Sequence, residues 1–199
     1  MNTHDTSFLD NAGGGWQPAL RFAIVAIAVT GLAFPLFATA LGQLLFPLQA
    51  RGSLIERNGI VVGSALVAQP FVSDQYFQPR PSAANYDPKA LSGSNWAPSN
   101  PALRERIAAS SAVIAAREHV PATAIPADLV TASGSGIDPH ISPAAAQLQV
   151  ARVARARGLA VAQVQALVAA HTLAPTFGVL GQARVDVLQL NLAMDALKR

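Results

Sequence analysis

One loop of the sequence carries the residue types of a serine hydrolase. Its polar members are Ser133, Ser135, Asp138 and His140. A serine nucleophile needs its histidine and aspartate partners brought from separate segments, and it lies on a strained turn between a strand and a helix. Residues crowded into one loop do not easily reach that geometry. We therefore favour a structural role, in which Asp138 and Ser142 accept hydrogen bonds from backbone donors of the loop and of a helix entry.

Other catalytic and ligand-binding patterns are missing from the sequence. The chain has no cysteine, which excludes disulfides, thiol catalysis and cysteine-ligated metals. Its histidines are too scattered for a metal-binding pair on one helix: His4, His119, His140 and His171. Neither the glycine-rich phosphate loop of nucleoside triphosphatases nor the dinucleotide-binding glycine pattern occurs. The sequence therefore predicts no catalytic residue and no metal ligand.

Two polar features are compatible with anion binding. The loop at residues 91–95, Leu-Ser-Gly-Ser-Asn, has backbone donors that are able to receive phosphate oxygens. Arg152, Arg155 and Arg157 lie on or near one face of a predicted helix. The simpler interpretations are an ordinary turn for the loop and a solvated face for the arginines, and we favour both.

A long apolar segment predicts a membrane anchor. Only 13% of the 199 residues are charged, against about 25% in an ordinary soluble domain. Residues 22–50 carry no charge, and the apolar run at 20–46 exceeds the roughly 20 residues that span a bilayer. A cleaved signal peptide is the alternative, but the apolar run continues beyond the small residues at 38–40. We therefore expect a tail at 1–19 and one retained transmembrane helix at 20–46.

Three further patterns describe this helix. Pro35 removes a backbone hydrogen bond, so a kink or a local adjustment is expected there. Close approach by another helix is possible along the small residues Gly31, Ala38, Thr39 and Gly42. The flanking charges, Arg21 before the helix against Arg51 and Arg57 after it, weakly favour a cytoplasmic domain, but long domains translocate largely regardless of such charges.

Residues 49–199 are enough for one globular domain with its own core. Asn58-Gly59 between two apolar runs predicts a β-hairpin with a type I′ turn. Residues 127–131 and 185–188 are typical of short strands. The predicted fold class is a single N-terminal transmembrane helix followed by one α+β globular domain.

Helix boundary signals divide the second half of this domain. Asn100 followed by proline predicts a helix start, and so does Ser142 followed by proline. Gly158 predicts the end of the second of these helices. Apolar spacing predicts a third helix from Val161 and a last helix through Leu192.

The proline-rich and aromatic stretch at residues 71–101 predicts an ordered, irregular surface. Aromatic and arginine side chains are the usual anchors of interfaces, and a proline-stiffened backbone loses little entropy on docking. We predict a partner-facing surface here, with these residues in it: Tyr76, Phe77, Arg80 and Trp96. The alternative is that the rings pack the domain's own core, above all Phe71 and Phe77.

A series of short blocks carries a family resemblance along nearly the whole chain. The blocks are Phe-Pro at 34–35, Leu-Gly-Gln at 41–43, Gly-Ser-Ala-Leu at 63–66, Tyr-Phe at 76–77, Arg-Pro-Ser-Ala at 80–83, Ser-Asn at 94–95, Pro-Ser-Asn-Pro at 98–101, Asp-Leu-Val-Thr-Ala-Ser-Gly-Ser-Gly at 128–136, Ile-Ser-Pro at 141–143, Arg-Val-Ala at 152–154 and Leu-Asn-Leu at 190–192. In this order they resemble the C subunit of the bacterial high-affinity potassium-transporting ATPase, the Kdp system.

The resemblance implies a non-catalytic, accessory subunit that stabilises an ATP-driven potassium import complex in the bacterial inner membrane. Its partners would be a channel-like potassium-translocating subunit, a P-type ATPase subunit and a small membrane peptide. It also implies a single membrane pass with a periplasmic domain. This placement is taken from the family and outweighs the weak charge signal.

In that family the subunit is described as a catalytic chaperone that raises the ATPase subunit's affinity for ATP. Carried over to this chain, the nucleotide-binding residues would be Ser92, Gly93, Ser94 and Gln149. The sequence offers Leu-Ser-Gly-Ser-Asn where the family usually has Ser-Gly-Gly-Ser-Asn. We therefore rank scaffold roles above direct nucleotide handling and expect no cofactor of its own, with ATP reached through the complex. The alternative function is a membrane-anchored periplasmic hydrolase that uses Ser135 and His140.

Overall fold

The structure is a computed structural model that describes residues 15–197. Most of the predicted tail at 1–19, with His4, and the last two residues of the predicted domain at 49–199 lie outside the described residues. The chain divides into two compact units, Met1–Gly52 and Ser53–Arg199.

The described part of the first unit, from residue 15 on, contains one long apolar helix, α1 (Trp16–Leu45), which is long and apolar enough to cross a membrane. Its middle turn, Ala28–Ala33, is π-helical and lies just before Pro35. A wider turn moves the preceding carbonyls away from the proline ring, which would clash with them in a regular α-helix. This turn is the local adjustment that the sequence predicts. Close approach by another helix stays a prediction. A short helix, α2 (Pro47–Ala50), follows.

The second unit begins with the predicted β-hairpin. Strands β1 (Leu54–Arg57) and β2 (Ile60–Ser64) are antiparallel, and Arg57 pairs with Ile60. The two residues between them have φ angles of 54° at Asn58 and 76° at Gly59, as a type I′ turn requires. The prediction is confirmed.

Three helices of this unit begin where the side chain of the N-cap residue accepts a hydrogen bond from a backbone N–H group of the first turn. Helix α3 (Pro101–Glu118) is capped by Asn100, whose Oδ1 accepts a bond from Ala102 N at 3.0 Å. After the one-turn helix α4 (Ala127–Val130) comes α5 (Pro143–Arg157), which is capped by Ser142 and ends at Gly158 with a φ of 66°. Helices α6 (Val161–Ala170) and α7 (Val187–Ala196) follow. The predicted starts at 101 and 143 and the stop at 158 are confirmed.

Two strand predictions need correction. Residues 127–131 do not form a strand, because 127–130 are the helical turn α4, which buries Leu129 and Val130. Residues 185–188 are only half a strand, because Asp186 caps α7 by accepting a bond from Gln189 N at 2.9 Å. The actual sheet joins three very short strands, β3 (His140–Ile141), β4 (Thr172–Leu173) and β5 (Arg184–Asp186). All pairings are antiparallel, with β5 in the centre.

The core of this unit is shared by its helices and its irregular segments. Val150 and Val153 of α5, Val164 of α6 and Leu190 of α7 are all buried in it, and so is Phe77 from the irregular stretch. A mixed helix and strand domain therefore follows an N-terminal apolar helix, which confirms the predicted fold class.

Candidate functional site

An irregular stretch at residues 74–78 forms the centre of the most elaborate polar arrangement in the domain. Each of its five backbone carbonyls accepts a hydrogen bond from a side chain of α5 or α7. We call these residues the clamped segment, and the helical side chains that bond to them the clamp. A buried peptide group must find a partner somewhere, and here helical side chains replace the neighbouring strand that a sheet would provide.

Two side-chain amides act as that substitute strand. Gln149 Oε1 accepts a bond from Gln78 N at 2.8 Å, and its Nε2 donates to Gln78 O at 3.2 Å. Asn191 makes the same pair of bonds with Phe77, at 2.8 Å and 3.0 Å. A side-chain amide offers one acceptor and two donors in one plane, so it can pair with both groups of a peptide. Both amides are buried.

Arg152 links the clamped segment to two helices. Its guanidinium donates to Asp74 O at 2.6 Å, Tyr76 O at 3.0 Å, Glu118 Oε1 at 2.9 Å and Gln149 Oε1 at 2.8 Å. Arg152 is only 3% exposed. Burial lowers its pKa from the ordinary arginine value, while the Glu118 carboxylate opposes that change. The buried charge is therefore compensated by one carboxylate and by carbonyl dipoles.

Arg157 holds the same segment from the end of α5. Its Nε donates to Gln75 O at 2.7 Å, its Nη2 donates to Asp195 Oδ1 at 2.9 Å, and its guanidinium lies 4.9 Å from the centre of the Tyr76 ring. The predicted solvated arginine face is therefore wrong for Arg152 and Arg157, while Arg155 is exposed. The family blocks at 152–154 and 190–192 contain Arg152 and Asn191, whereas Arg157 lies outside the blocks.

The predicted nucleotide loop packs against a second loop. A Cβ atom on Gly93 would lie 2.8 Å from Gly134 O, and one on Gly136 would lie 2.8 Å from Ser92 O. Ser92 Oγ donates to Gly93 O at 2.9 Å. The glycines therefore allow two backbones to approach closely, and this packing alone accounts for Gly93.

Gln149 is engaged elsewhere. Its four amide hydrogen-bonding positions are filled by Gln78, Ala145 and Arg152, and the residue is 0% exposed. Within residues 15–197, none of the hydrogen bonds of Gln149 goes to the loop at 92–94. Nucleotide binding by Ser92, Gly93, Ser94 and Gln149 stays a prediction, and binding at Gln149 would require the clamp to open.

The four predicted interface residues lie in different environments. Phe77 is 0% exposed, so its ring belongs to the core and is not available to a partner on the folded domain. Tyr76 is half-buried beneath Arg157, and Arg80 pairs with Asp138 at 3.1 Å. Trp96 is 41% exposed, with Arg106 stacked 4.7 Å from its ring centre. The core-packing alternative is thus confirmed for Phe77, and interface roles for the other three stay a prediction.

A charged groove of about 330 Å³ lies beside strand β3. We use this name for the cavity whose charged and titratable lining is Arg80, Asp128, Asp138, His140 and Arg184. Asp138 accepts bonds from Arg80 Nη1 at 3.1 Å and from His140 N at 3.0 Å. Burial alone would raise the pKa of Asp138, but the hydrogen bonds from His140 and the Arg80 charge outweigh it and hold that pKa below the usual aspartate value.

The serine-rich loop shows no hydrolase geometry. Ser135 Oγ lies 3.1 Å from Ser133 Oγ and accepts a bond from Ile137 N at 3.2 Å. Ser133 Oγ in turn accepts a bond from Gly136 N at 3.1 Å. These hydroxyl groups hold the loop together, as expected for a structural role. His140 faces Asp138 in the charged groove, and Ser135 is not among the groove's lining residues. Across the described range, 15–197, no three His, Asp or Glu residues are grouped to hold a metal ion.

Comparison with known proteins gives one consistent family. A family model described as K+-transporting ATPase, c chain, matches residues 16–196. A KdpC subunit of a potassium-transporting ATPase from Shewanella putrefaciens is 56% identical over 180 residues, covering 90% of each chain. Similar proteins of the same name come from Xanthomonas oryzae, at 56% identity over 92% of this chain and 87% of the relative, and from Methylococcus capsulatus, at 53% over 92% and 98%. These similarities give no support to the hydrolase alternative.

Proposed function

The chain belongs to the KdpC family of K+-transporting ATPase c chains, and from this membership we propose that it is an accessory subunit that stabilises an ATP-driven potassium import complex. The observation that carries the proposal is the extent of the family match, which includes the apolar helix α1 as well as the domain. If the chain acted through its domain alone, the family match would not have to include a membrane-spanning helix.

We propose three kinds of partner in this complex: a channel-like potassium-translocating subunit, a P-type ATPase subunit and a small membrane peptide. The subunit itself is non-catalytic. Support comes from the engagement of its reactive groups: Ser133 and Ser135 stabilise their own loop, and His140 faces the Asp138 carboxylate. Each of these groups is used to hold local structure.

ATP acts on this chain through the complex and is not a cofactor of the isolated subunit. Gln149 is already saturated with internal hydrogen bonds, and phosphate binding to a few hydroxyls and backbone donors would be weak without a helix N-terminus or a preorganised lysine, Lys89 being the one lysine near the loop in the sequence. A subunit can still change its partner's affinity for ATP, because coupling between two sites requires only that both bias the same conformational equilibrium.

The proposed location is the bacterial inner membrane, with α1 as a single span and the domain on the periplasmic side. A reporter enzyme that is active only in the cytoplasm, fused after Arg199, tests this orientation. We expect no reporter activity from the fusion and full activity from the same reporter fused before the helix. Strong activity after Arg199 would place the domain in the cytoplasm.

The accessory role is tested by assembling the ATPase complex with and without this chain. We expect the complex that lacks it to be recovered in lower yield and to lose potassium-stimulated ATP hydrolysis, and the wild-type chain or an Arg155→Ala variant to restore both. Full potassium-stimulated hydrolysis without the chain would contradict the proposal. Ester or peptide hydrolysis by the purified chain, abolished by His140→Ala but not by Arg155→Ala, would favour the hydrolase alternative instead.

A further inference from the structure

A second hairpin turn in the domain exposes a group of apolar side chains. Thr176 and Leu180 exchange two backbone hydrogen bonds of 2.9 Å each, which closes a tight turn between β4 and β5. We call residues 176–180 the apolar tip. The exposed fractions are 89% for Phe177, 79% for Val179 and 59% for Leu180. Three neighbouring large apolar side chains in water are unfavourable for the isolated domain.

The backbone conformation of the apolar tip is also unfavourable for the residue types that occupy it. Phe177 has a φ of 54° and Gly178 a φ of 76°, nearly the values of Asn58 and Gly59 in the first hairpin. Asparagine and glycine tolerate this left-handed region, whereas a phenylalanine in it is strained. The chain therefore has a strained aromatic residue at a position where asparagine would satisfy the turn. Because the Phe177 ring is 89% exposed, burial in the domain does not offset this strain.

The surroundings of the tip identify the kind of surface that it fits. Residues 172–183 carry no charge, and the three residues after the tip line the charged groove together with Arg80, Asp138 and Arg184. An apolar centre beside a rim of both charge signs is the arrangement of a protein–protein interface. Contact with an anionic bilayer would instead favour an excess of lysine and arginine around the apolar residues.

We propose that the apolar tip docks into an uncharged, apolar pocket on another protein subunit of the K+-transporting ATPase complex. Phe177 is the anchor of this contact, and the charged groove with its Arg80–Asp138 ion pair forms the polar rim. The inference rests on the proposed function, since it requires that the chain has partner subunits. The proposed contact of the apolar tip is separate from the predicted surface at 71–101. Arg80 is the one residue that belongs to both.

The first test is the Phe177→Asn variant, assembled into the complex in detergent. We expect the variant chain to dissociate from the complex about thirty-fold faster than the wild type, the size of a lost interface anchor. Its own melting temperature should stay the same or rise, because asparagine suits the turn. The matched control is Val113→Asn, which introduces the same residue at a 65% exposed valine of α3 and should leave dissociation unchanged. Unchanged dissociation of Phe177→Asn overturns the proposal.

The second test uses the absence of cysteine in the chain. A single Val179→Cys variant carrying a nitroxide label is measured alone in proteoliposomes and again in the assembled complex. We expect a mobile label that a water-soluble relaxation agent reaches in the chain alone, and an immobilised, protected label in the complex. A label that is already immobilised and reached by oxygen from the lipid phase in the chain alone would assign the tip to the bilayer and overturn the proposal.

The two proposals fail in different ways. If the wild-type chain does not assemble with partner subunits at all, the accessory function itself is wrong. If the wild-type and Phe177→Asn chains assemble equally and the Val179→Cys label stays mobile in the complex, the accessory function stands and only the tip proposal is wrong.

Discussion

The clamped segment and the apolar tip both depart from the usual distribution of side chains. Polar side chains are buried at the first, and apolar side chains are exposed at the second. Around residues 74–78, arginine, glutamine, asparagine and glutamate side chains are buried and hydrogen-bonded. At residues 176–180, phenylalanine, valine and leucine are exposed. A buried polar group is tolerated when its bonds are made inside the domain. An exposed apolar cluster does not stabilise the domain that carries it. We therefore assign the clamped segment to the stability of this chain and the apolar tip to the contact with a partner.

The comparison also separates two uses of irregular backbone. The clamped segment lacks helix or strand, yet side chains from α5 and α7 hold every carbonyl in it, and its Phe77 side chain lies in the core. The tip is closed by hydrogen bonds within its own turn and to Pro175 just before it. We therefore expect substitutions in the clamp to change stability and substitutions in the tip to change assembly.

The largest effect is expected for Arg152→Met. Methionine keeps a side chain of similar length but removes the guanidinium, which frees the carbonyls of Asp74 and Tyr76 and leaves Glu118 with the bond from Arg117 Nε at 2.8 Å. Breaking a buried ion pair from one side lowers the free energy of unfolding by about 3–5 kcal/mol when the remaining charge is unpaired, and because Arg117 stays beside Glu118 we expect about 3 kcal/mol here. Denaturant unfolding of the full chain in detergent measures the change. Arg155→Met on the same helix is the control, and it should change the free energy of unfolding by less than about 0.5 kcal/mol. Equal effects of the two variants would contradict a structural role for the clamp.

Gln149→Ala distinguishes a structural role from nucleotide binding, because Gln149 is also a predicted nucleotide ligand. Removing a buried amide that makes four hydrogen bonds should lower the free energy of unfolding by about 2 kcal/mol. Ser92→Ala should leave stability unchanged, since Ser92 is exposed and its hydroxyl bonds to the carbonyl of the next residue, Gly93. Both variants should leave the ATP dependence of the assembled complex unchanged at temperatures where they are folded. A shared loss of ATP affinity would restore these residues as a direct nucleotide site.

Local signals made the helix ends and the first hairpin predictable from the sequence. Asn58-Gly59, Asn100, Ser142 and Gly158 each act on backbone groups within a few residues, so their effect does not depend on the rest of the fold. The one-turn helix at 127–130 was missed because its β-branched and apolar residues suit a strand equally well. Strands of two or three residues, such as β3 and β4, are too short to leave a periodic pattern.

The clamp was not predictable from the sequence for a different reason. Gln149 bonds to a residue 71 positions away and Asn191 to one 114 positions away. Arginine in a helix is usually solvated, so helical spacing alone gave no reason to bury Arg152 and Arg157. Only the tertiary fold determines which irregular segment passes beside them.

A smaller, pH-dependent effect is expected at the charged groove. The pKa of Asp138 is lower in the folded chain than its ordinary value, so its ionised form stabilises the fold above about pH 4, and this stabilisation is lost as the pH falls through the folded pKa. Asp138→Asn should therefore lower stability at neutral pH by no more than about 1 kcal/mol and match the wild type in acid.

Asp186 is expected to change the stability of the fold with pH in the direction opposite to Asp138. Burial raises its pKa, so its contribution to stability falls as the pH rises through the interval between its unfolded and folded pKa values. Unfolding curves at several pH values measure both effects, with the exposed Glu105→Gln as a control that changes neither. A stability difference between Asp138→Asn and the wild type that is independent of pH would contradict this assignment.

The smallest effect on stability is expected in the tip, and it has the opposite sign. Phe177→Asn should raise the free energy of unfolding by up to about 1 kcal/mol, because asparagine relieves the strain of the left-handed backbone. Thermal unfolding of the purified chain measures it. A clear destabilisation would mean that the Phe177 ring stabilises its own domain, and the contrast between the two regions would not hold.

Hydrogen exchange of backbone amides, compared between the chain alone and the assembled complex, tests the contrast between the two regions most directly. The amides of Phe77 and Gln78 are bonded to buried side chains, so we predict equal and strong protection in both states. The amides of Gly178 and Val179 bond to Pro175 O and Thr176 O within an exposed turn, which can open without unfolding the core, so we predict fast exchange in the chain alone and stronger protection in the complex. Rapid exchange at Phe77 and Gln78 in the free chain, or a tip whose exchange does not change on assembly, would contradict the account.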